Sequence, residues 1–206
     1  MNTNSILLTI FMLLWCLVHS ALISIPVVSL AQKRLGRLFK FYRLFYNMIS
    51  VLTLLPILIF MLSIRHVSYF NWPGLLRIVQ GLLLVGCLFL LFAGARHYDG
   101  MQFLGLRQIL SNKHSSGLTS SGGLHTEGIL NVIRHPWYVA GLLLVWAREI
   151  DSVSLPVNIV FSVYLIVGAM LEERKLVLEF GQDYKDYQHR VSMFFPWKWI
   201  VGRLRR

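Results

Sequence analysis

Charged residues are scarce in this sequence, and acidic ones are the scarcest. Only 14% of its 206 residues are charged, with 9 Asp and Glu against 20 Lys and Arg, while 56% are hydrophobic. An ordinary soluble domain carries about 25% charged residues, so the composition argues against that class of protein. The length suits one domain, and we expect residues 1–206 to form a single membrane-embedded unit.

Two further observations exclude other classes. The two cysteines, Cys16 and Cys87, lie inside apolar stretches, so the sequence predicts buried thiols rather than a disulfide framework or a cysteine-rich metal site. The net charge of +11 is compatible with nucleic-acid binding. The basic residues, however, flank apolar segments, as they do where they anchor a chain at a membrane. We therefore expect a lipid bilayer as partner, no nucleic acid and no metal.

Long apolar runs are what the sequence has in abundance. A transmembrane helix needs about 20 mostly apolar residues. No basic residue precedes the first run, which is longer than the apolar core of a signal peptide, so we expect a retained helix. The sequence predicts an all-α integral membrane protein of about five transmembrane helices, near residues 5–30, 45–64, 75–95, 137–147 and 154–171.

The last two predicted helices need further comment. The run from Trp137 to Ala147 is too short to span a membrane alone, and does so only if its helix extends back through residues 134–136. Ser154 can cap the fifth helix. The charged continuation over residues 172–190 predicts a C-terminal amphipathic helix on the cytoplasmic side.

Basic residues are distributed unevenly among the predicted loops. Seventeen of the 20 Lys and Arg lie in residues 32–43, 96–134 and 172–206, which are alternate loops. Short loops rich in Lys and Arg stay in the cytoplasm. The pattern therefore predicts an N-terminus outside the membrane and a C-terminus in the cytoplasm.

Ionisable residues gather where the fourth helix would begin and where the fifth would end. Arg134 and His135 stand at the first place, Glu172 and Glu173 at the second. A hairpin of these helices would bring both pairs to one membrane face, where ionisable groups are costly unless they are paired or solvated. The cluster is therefore a candidate for binding a zwitterionic ligand. An anchoring arginine and a solvated glutamate pair explain the same pattern equally well.

The same residues belong to a longer pattern. It comprises Gly128-x5-Arg134-His135-Pro136-x-Tyr138, then Glu172-Glu173-x2-Leu176-x3-Phe180-Gly181-x2-Tyr184-x2-Tyr187, then Pro196. This order and spacing resemble the membrane methyltransferase superfamily, which includes isoprenylcysteine carboxyl methyltransferases and phospholipid methyltransferases. Three further motifs resemble its branch of NnrU-like proteins and methanethiol S-methyltransferases: Trp15-x3-His19-Ser20, Tyr42-Arg43-x2-Tyr46-Asn47-x2-Ser50 and Phe103-x-Gly105-Leu106-Arg107-Gln108.

The resemblance implies S-adenosylmethionine as cofactor, bound by residues near 96–200, and the bacterial inner membrane as location. It implies that a glutamate receives the donor's ammonium or ribose hydroxyls, while Arg134 or His135 meets its carboxylate. Aromatic side chains would stack on the adenine or face the sulfonium. Carried over position by position, the cofactor-binding residues are Leu124, His125, Gly128, Arg134, His135, Pro136, Trp137, Tyr138, Glu172 and Glu173.

Departures from the pattern argue against one class of acceptor. The prenylcysteine branch carries a tyrosine two residues after the motif glycine and an arginine shortly before its glutamates, where this sequence has Leu130 and the uncharged segment 165–171. A prenylcysteine carboxylate is therefore a poor substrate. The resemblance to methanethiol S-methyltransferases favours a thiol, which has a pKa of about 8.5, while a lipid amine or another carboxylate stays open. The candidate bases are His19 and His135, and the candidates for orienting a small or lipophilic acceptor are His97 and Gln108.

Alternatives remain for both the function and the single residues. NnrU-like proteins suggest a non-catalytic accessory or transport factor of the membrane. A sterol-reductase-like enzyme using NADPH would share the C-terminal pattern, although such reductases are longer. His19 suits equally well a neutral histidine hydrogen-bonded between helices, and His97 and Gln108 suit a solvated loop.

The distribution of basic residues gives a topology prediction. Reporter domains fused after Asn71 and after the C-terminus should lie on opposite sides of the membrane, the second in the cytoplasm, because basic loops are retained there. The measurement pairs a reporter that is active only outside the cytoplasm with one that is active only inside it. Two fusions on the same side would contradict the five-helix topology.

Overall fold

The computed structural model describes residues 3–97, 100–111 and 123–205. Within them the chain is mainly helical, and the prediction of an all-α integral membrane protein is confirmed. Four helical stretches in these ranges are long and apolar enough to cross a membrane, and a fifth apolar helix is shorter. The four are Thr3–Leu22, Ile25–Ser63, Leu76–Ala95 and Ser154–Arg190, and the shorter one is Pro136–Trp146.

The described elements are mostly helices, with two short strands that pair with each other. In chain order they are α1 (Thr3–Leu22), α2 (Ile25–Leu35), a 3-10 helix (Gly36–Phe41), α3 (Tyr42–Ser63), β1 (Ser68–Phe70), α4 (Leu76–Ala95), α5 (Gly100–Leu104), α6 (Leu106–Ser111), a second 3-10 helix (Gly128–Asn131), α7 (Pro136–Trp146), β2 (Ile150–Asp151), α8 (Ser154–Arg190) and α9 (Trp197–Leu204).

Contacts divide the chain into two compact units, each built from three segments. Unit 1 comprises Met1–Tyr69, Asp99–Ser120 and Ile150–Val160. Unit 2 comprises Phe70–Tyr98, Ser121–Glu149 and Phe161–Arg206. That the whole chain acts as one domain stays a prediction.

Unit 1 contains α1 packed against α3. The buried residues of α1 are Ser5, Leu8, Met12 and Cys16, which recur every three or four residues and so form one stripe along the helix. Most of its remaining apolar side chains are exposed, as expected for a helix that faces lipid on its other sides. The prediction of a buried thiol at Cys16 is confirmed, and Cys87 in unit 2 is buried as well.

The N-terminal region differs from the prediction of one helix over residues 5–30 followed by a basic loop. Helix α1 ends at Leu22, and α2 begins at Ile25 with Pro26 in its first turn, where a proline costs no helical hydrogen bond. The expected loop is helical instead: α2 ends at Leu35 and a 3-10 helix leads directly into α3. Lys and Arg are good helix formers, so a basic segment without proline need not be a loop.

Unit 2 contains α7 packed antiparallel along α4. A Cβ at Gly94 would lie 2.5 Å from Nε1 of Trp137, so the two helices approach closely at this glycine. The same indole nitrogen donates to the carbonyl of Leu91 at 3.2 Å. At the other end, Gln80 donates to the carbonyl of Ala147 at 2.9 Å and so satisfies part of the C-terminus of α7.

Helix α7 begins at Pro136 and does not extend back through Arg134 and His135. The backbone N–H groups of those two residues donate instead to the carbonyls of Ser192 and Met193, at 2.9 and 3.2 Å. Proline also disfavours helical geometry in the residue before it. The extension that a fifth full span required is therefore absent, and α7 is an apolar helix of 11 residues.

The start of α8 is capped by Asp151 together with Ser154. Oδ1 of Asp151 accepts from the N–H groups of Val153 and Ser154, both at 2.7 Å, and the Ser154 hydroxyl accepts from the N–H of Asp151 at 2.9 Å. Burial by itself raises the pKa of the Asp151 carboxyl, but the hydrogen bonds from Ser154 and Val153 lower it below its usual range. The predicted cap by Ser154 is thus half of a reciprocal pair.

The close approach of α4 and α7 gives a stability prediction. Gly94→Ala should lower the melting temperature in detergent, because the new methyl group displaces the Trp137 ring from its hydrogen bond, a strain of about 1–3 kcal/mol. Gly81→Ala is the matched control on the same helix, since a Cβ there meets nothing within 4 Å. It should leave the melting temperature unchanged or raise it. Equal melting temperatures for the two variants would contradict the packing.

Candidate functional site

The carboxylate of Glu173 lies at the centre of the charged cluster in unit 2. Arg134 pairs with both of its oxygens, Nε with Oε1 at 2.6 Å and Nη2 with Oε2 at 2.9 Å. Nε2 of His135 lies 3.0 Å from Oε1. The Tyr184 hydroxyl donates to Oε1 at 3.2 Å, and the Gln188 amide donates to Oε2 at 2.6 Å. A carboxylate has about four lone-pair positions, so these five contacts leave it no capacity for a ligand.

The guanidinium of Arg134 is also largely occupied. Its remaining nitrogen, Nη1, donates to the carbonyl of Gln188 at 3.2 Å and to the carbonyl of Val191. The side chains of Arg134 and Glu173 are only 8% and 11% exposed. Burying two charges is tolerated when both are paired and hydrogen-bonded, as they are here. Four of its five N–H groups are therefore engaged within the protein, which leaves at most one, on Nη2, for the carboxylate of a ligand.

The chain must turn back on itself for these contacts to form. Tyr184 and Gln188 lie 11 and 15 residues after Glu173, which in a straight helix would separate them from it by about 16 and 22 Å. Gly181 interrupts α8 with a φ of +57°, a backbone conformation that glycine adopts without the strain a Cβ would add. The segment beyond Gly181 then returns to the carboxylate.

Glu173 is ionised at neutral pH. It lies beyond residues 154–171, the uncharged part of α8 that can cross a membrane. Burial by itself raises the pKa of Glu173, but the hydrogen bonds from His135 and Arg134 and the charge of Arg134 lower it to about 2. Because the folded-state pKa is depressed, the stabilisation is complete above the ordinary carboxyl pKa and is lost as pH falls towards 2.

Glu172 has a different environment, although it is adjacent in sequence. Its Oε2 lies 3.9 Å from Nδ1 of His135, beyond hydrogen-bond range, and its side chain is 23% exposed. This long contact is its one ion pair within the residues described. The two ring nitrogens of His135 thus face the two glutamates, with Nε2 held by Glu173. Glu172 keeps acceptor capacity beside a buried imidazole.

His135 and Glu172 lie at one end of a seam between α7 and α8. Tyr138 contacts His135 edge-to-face, with ring centroids 5.2 Å apart. A Cβ at Gly168 would lie 3.3 Å from the Tyr138 ring. Gly168 and Glu172 are four residues apart and so share one face of α8. The predicted meeting of His135 and Tyr138 with the glutamates at the end of two neighbouring helices is therefore present.

The segment before α7 lies in the same unit. Gly128 has a φ of +58°, and a Cβ there would lie 2.5 Å from Nε2 of His97, so this position needs glycine for both conformation and space. Leu124 packs against the buried pair Tyr184 and Tyr187. His125 follows it and is partly buried.

Two predicted cofactor residues have structural contacts of their own. Pro136 is buried and starts α7. The Trp137 ring points to α4, where its N–H donates to Leu91 and its edge meets Gly94. Both residues therefore fix α7 against α4, and a role in cofactor binding stays a prediction for each.

His19 and Gln108 belong to unit 1. The ring nitrogens of His19 contact the hydroxyls of Ser50 and Tyr46, as expected of a histidine hydrogen-bonded between helices. Gln108 is buried and donates to the carbonyl of Gln102 at 3.2 Å, and its Oε1 has no hydrogen-bond partner within the described residues. Their predicted roles as base and acceptor ligand stay predictions, and Tyr98, beside His97, lies outside the described residues.

A groove of about 360 Å³ lies next to Glu173. Its lining includes Glu173 and Gln188, but its exposed walls are mainly the aliphatic parts of Arg174, Val177 and Leu178. The volume is within the range of small-molecule sites. The groove suits the apolar part of a ligand rather than its charged end.

No protein-family model and no solved structure matches this chain. It is 30% identical over 110 residues to methanethiol S-methyltransferase 1 of Bradyrhizobium diazoefficiens, covering 53% of this chain and 38% of the relative. It is 34% identical over 76 residues to the methanethiol S-methyltransferase of Pseudomonas deceptionensis, covering 36% and 29%. The resemblance to methanethiol S-methyltransferases is confirmed.

The match is partial in length. A third methanethiol S-methyltransferase, from Mycobacterium tuberculosis, is 27% identical over 100 residues, covering 47% of this chain and 39% of the relative. The alignments thus span well under half of these methanethiol S-methyltransferases. The names of the relatives support a methyltransferase.

Part of the cluster was not predicted from the sequence. Gln188 contacts both Glu173 and Arg134, and the backbone of residues 191–193 pairs with the segment before α7. One signal was available for Gln188, which lies four residues after Tyr184 and so shares its helix face. Backbone carbonyls carry no signature in the sequence, and those of residues 191–193 could not have been found.

The contrast between the two glutamates gives a stability prediction. Glu173→Gln should lower the melting temperature strongly, because a buried Arg134 left without its counter-ion costs about 3–5 kcal/mol. Glu172→Gln is the matched control, with the same change one residue away, and should melt within a few degrees of the wild type. Both are measured by thermal unfolding in detergent. Similar losses in the two variants would contradict the assignment of Glu173 as the structural carboxylate.

Proposed function

We propose that this protein is an S-adenosylmethionine-dependent methyltransferase that acts on a small thiol such as methanethiol, with the donor bound by unit 2. Two observations support it. The matched relatives are named methanethiol S-methyltransferases. At the place where the resemblance puts the donor, Glu172 is a partly exposed carboxylate with acceptor capacity beside His135, and this observation carries the proposal.

The residues present fit the chemistry of the donor, with a revised division of roles. Glu172 is suited to receive the ammonium or the ribose hydroxyls of the donor. Tyr138 offers an aromatic face to the sulfonium. Arg134 and Glu173 satisfy each other, so we assign them the positioning of His135 rather than contact with the donor. Leu124, His125 and Gly128 line the same side of the pocket by resemblance.

The bound donor would supply an electrophilic methyl group on a sulfonium centre. The residues of this chain would bind it, orient it and keep water away from it. Fixing two reactants in line contributes roughly 7–11 kcal/mol in favourable cases. The preformed cluster around Glu173 would serve this purpose. It holds the His135 ring in place, so that this ring does not have to be ordered when the donor binds.

Access would differ for the two substrates. Because the predicted cytoplasmic loops hold 17 of 20 basic residues, we place the donor site at the cytoplasmic face of a bacterial inner membrane, where the donor is soluble. A small thiol partitions into the bilayer and would reach the enzyme from there. The lipid bilayer and the thiol are the proposed partners.

The proposal predicts how the two cofactor-facing groups respond to substitution. Glu172→Gln should weaken binding of S-adenosylhomocysteine by roughly ten- to a hundredfold, the effect of losing one charge-assisted hydrogen bond of about 1.5–3 kcal/mol. Glu179→Gln, the same change at an exposed position of α8, should bind as the wild type does. Calorimetry of detergent-purified protein measures the affinity, and a melting curve verifies folding of each variant.

Other outcomes of that experiment count against the proposal. Wild-type affinity in well-folded Glu172→Gln would exclude this carboxylate from the donor site. Binding of NADPH in place of S-adenosylhomocysteine would favour a reductase, and binding of neither would favour an accessory factor.

A further inference from the structure

Helix α9 has two chemically different faces. One face is apolar, with side chains at the spacing of three and four residues that a helix face requires, namely Trp197, Ile200, Val201 and Leu204. The cations of this segment lie on the remaining surface and are Lys198, Arg203 and Arg205. This amphipathic helix is separate from the one predicted over residues 172–190.

The apolar face of α9 is not covered by the rest of unit 2. Trp197 is 63% exposed and Leu204 is 82% exposed, and Phe195 just before the helix is exposed as well. Ile200 and Val201 between them are only partly buried. Contiguous exposed apolar side chains mark a surface that meets another apolar phase or partner.

The segment before α9 fixes where this helix begins. The carbonyls of Ser192 and Met193 accept from the backbone N–H groups of the two residues before α7. The backbone N–H of Lys198 donates to the Ser192 hydroxyl at 3.0 Å, and its ammonium donates to the carbonyl of Gln188 at 2.7 Å. Helix α9 therefore begins beside the start of α7, at the level where charged residues follow the apolar part of α8. In a membrane-spanning protein this is the level at which hydrocarbon gives way to headgroups.

The other face of α9 is cationic and has no acidic residue nearby in the sequence. Residues 187–205 contain no Asp or Glu. Arg203 and Arg205 are exposed, and neither forms an ion pair within the part of the chain that the structure describes. The guanidinium carbon of Arg203 lies 4.7 Å from the ring centroid of Trp199. A guanidinium stacked on a ring keeps N–H groups at its edge for phosphate oxygens.

We propose that α9 lies in the membrane interface and binds anionic phospholipids. Its apolar face enters the outer part of the acyl-chain region, and Arg203 and Arg205 contact the phosphate groups. Lys198 holds the start of the helix on α8. This inference does not depend on the proposed methyltransferase activity.

A phospholipid bilayer supplies both halves of what α9 presents. The acyl chains cover the apolar face, and an indole such as that of Trp197 is typical of the boundary between chains and headgroups. Phosphates lie at the same boundary, within reach of arginine side chains on a helix that lies in the plane of the membrane. A soluble phosphate would satisfy the cations but leave the apolar face in water.

Quenching of Trp197 fluorescence by brominated lipids measures this contact directly. The full chain is reconstituted in vesicles of phosphatidylcholine and phosphatidylglycerol in equal amounts, with bromine on the acyl chains of one lipid or the other. The chain has 6 tryptophans, so the signal of Trp197 is the difference between the wild type and Trp197→Phe. Phosphatidylglycerol should be preferred at this indole by roughly three- to thirtyfold, from the usual attraction of two basic residues to an anionic surface.

Removing the cations of α9 should remove most of this preference. In Arg203→Gln/Arg205→Gln, again compared with and without Trp197→Phe, the two brominated lipids should quench Trp197 to a similar extent. The matched control is Arg65→Gln/Arg77→Gln, which removes the same charge from exposed positions outside α9 and should keep the preference of the wild type. A loss of preference in the control as well would attribute it to net charge and would overturn the role of α9.

The orientation of the helix has its own test. Trp199 and Arg203 are four residues apart and share the cationic face, so Trp199→Phe should remove less of the quenching than Trp197→Phe does. Equal quenching of Trp197 by both lipids in the wild type would overturn the binding of anionic lipid. Protection of Trp197 from both lipids would show that α9 lies outside the bilayer or that a second copy of the chain covers its apolar face, and would overturn the proposal.

Discussion

The carboxylate of Glu173 is the constraint on which the polar part of unit 2 depends. Its donors are Arg134 and His135 in the segment before α7, and Tyr184 and Gln188 in α8 beyond Gly181. The guanidinium of Arg134 also donates to backbone carbonyls near the end of α8. Each donor satisfies a lone pair that would otherwise be buried and unpaired, at a cost of about 1–3 kcal/mol or more for a charged group. The break in α8, the short α7 and the non-helical backbone at residues 133–135 are the geometry that brings these donors to the carboxylate.

The two polar clusters solve the same physical problem in different ways. Around Glu173 a full negative charge is balanced by a full positive one and by neutral donors, and the whole assembly is closed to further ligands. Around His19 the two ring nitrogens contact the hydroxyls of Ser50 and Tyr46. A closed ionic cluster provides rigidity, whereas contacts between hydroxyls and an imidazole join two helices. Glu172 has only a 3.9 Å contact with His135 as an ion pair in the described residues, in keeping with the ligand-facing role proposed for it.

Much of the fold was predictable because apolar length is a strong signal. The helices expected at residues 45–64 and 75–95 are present as α3 and α4, with bounds that differ by at most three residues. The meeting of the His135 motif with the glutamates was predictable too, since a hairpin of two helices aligns their ends. The identity of the saturated glutamate was not predictable, because two adjacent residues differ only in the helix face they occupy. The backbone turn at Gly181 decides which face of α8 the returning segment contacts, and a single glycine does not reveal this in the sequence.

The helical state of the basic segment between α1 and α3 could not be read from its charge, since Lys and Arg suit a helix and a loop alike. The start of α7 at Pro136 depended on backbone pairing with residues 192 and 193, which lie more than 50 positions away in the sequence. Local sequence patterns therefore predicted the helices, while long-range hydrogen bonds determined where the helices begin and end.

The partners of Arg134 also set an order of events during synthesis. The ribosome makes the chain from its N-terminus, so Arg134 emerges well before Glu173 and before the carbonyls of Gln188 and Val191 that enclose it. During that interval it is an unpaired cation, and an unpaired cation next to an apolar segment holds that segment's end on the cytoplasmic side of the membrane. Once the C-terminal turn arrives, the same guanidinium is withdrawn from water into the folded cluster. On the predicted topology, this one side chain serves first as an insertion signal and then as an internal counter-ion.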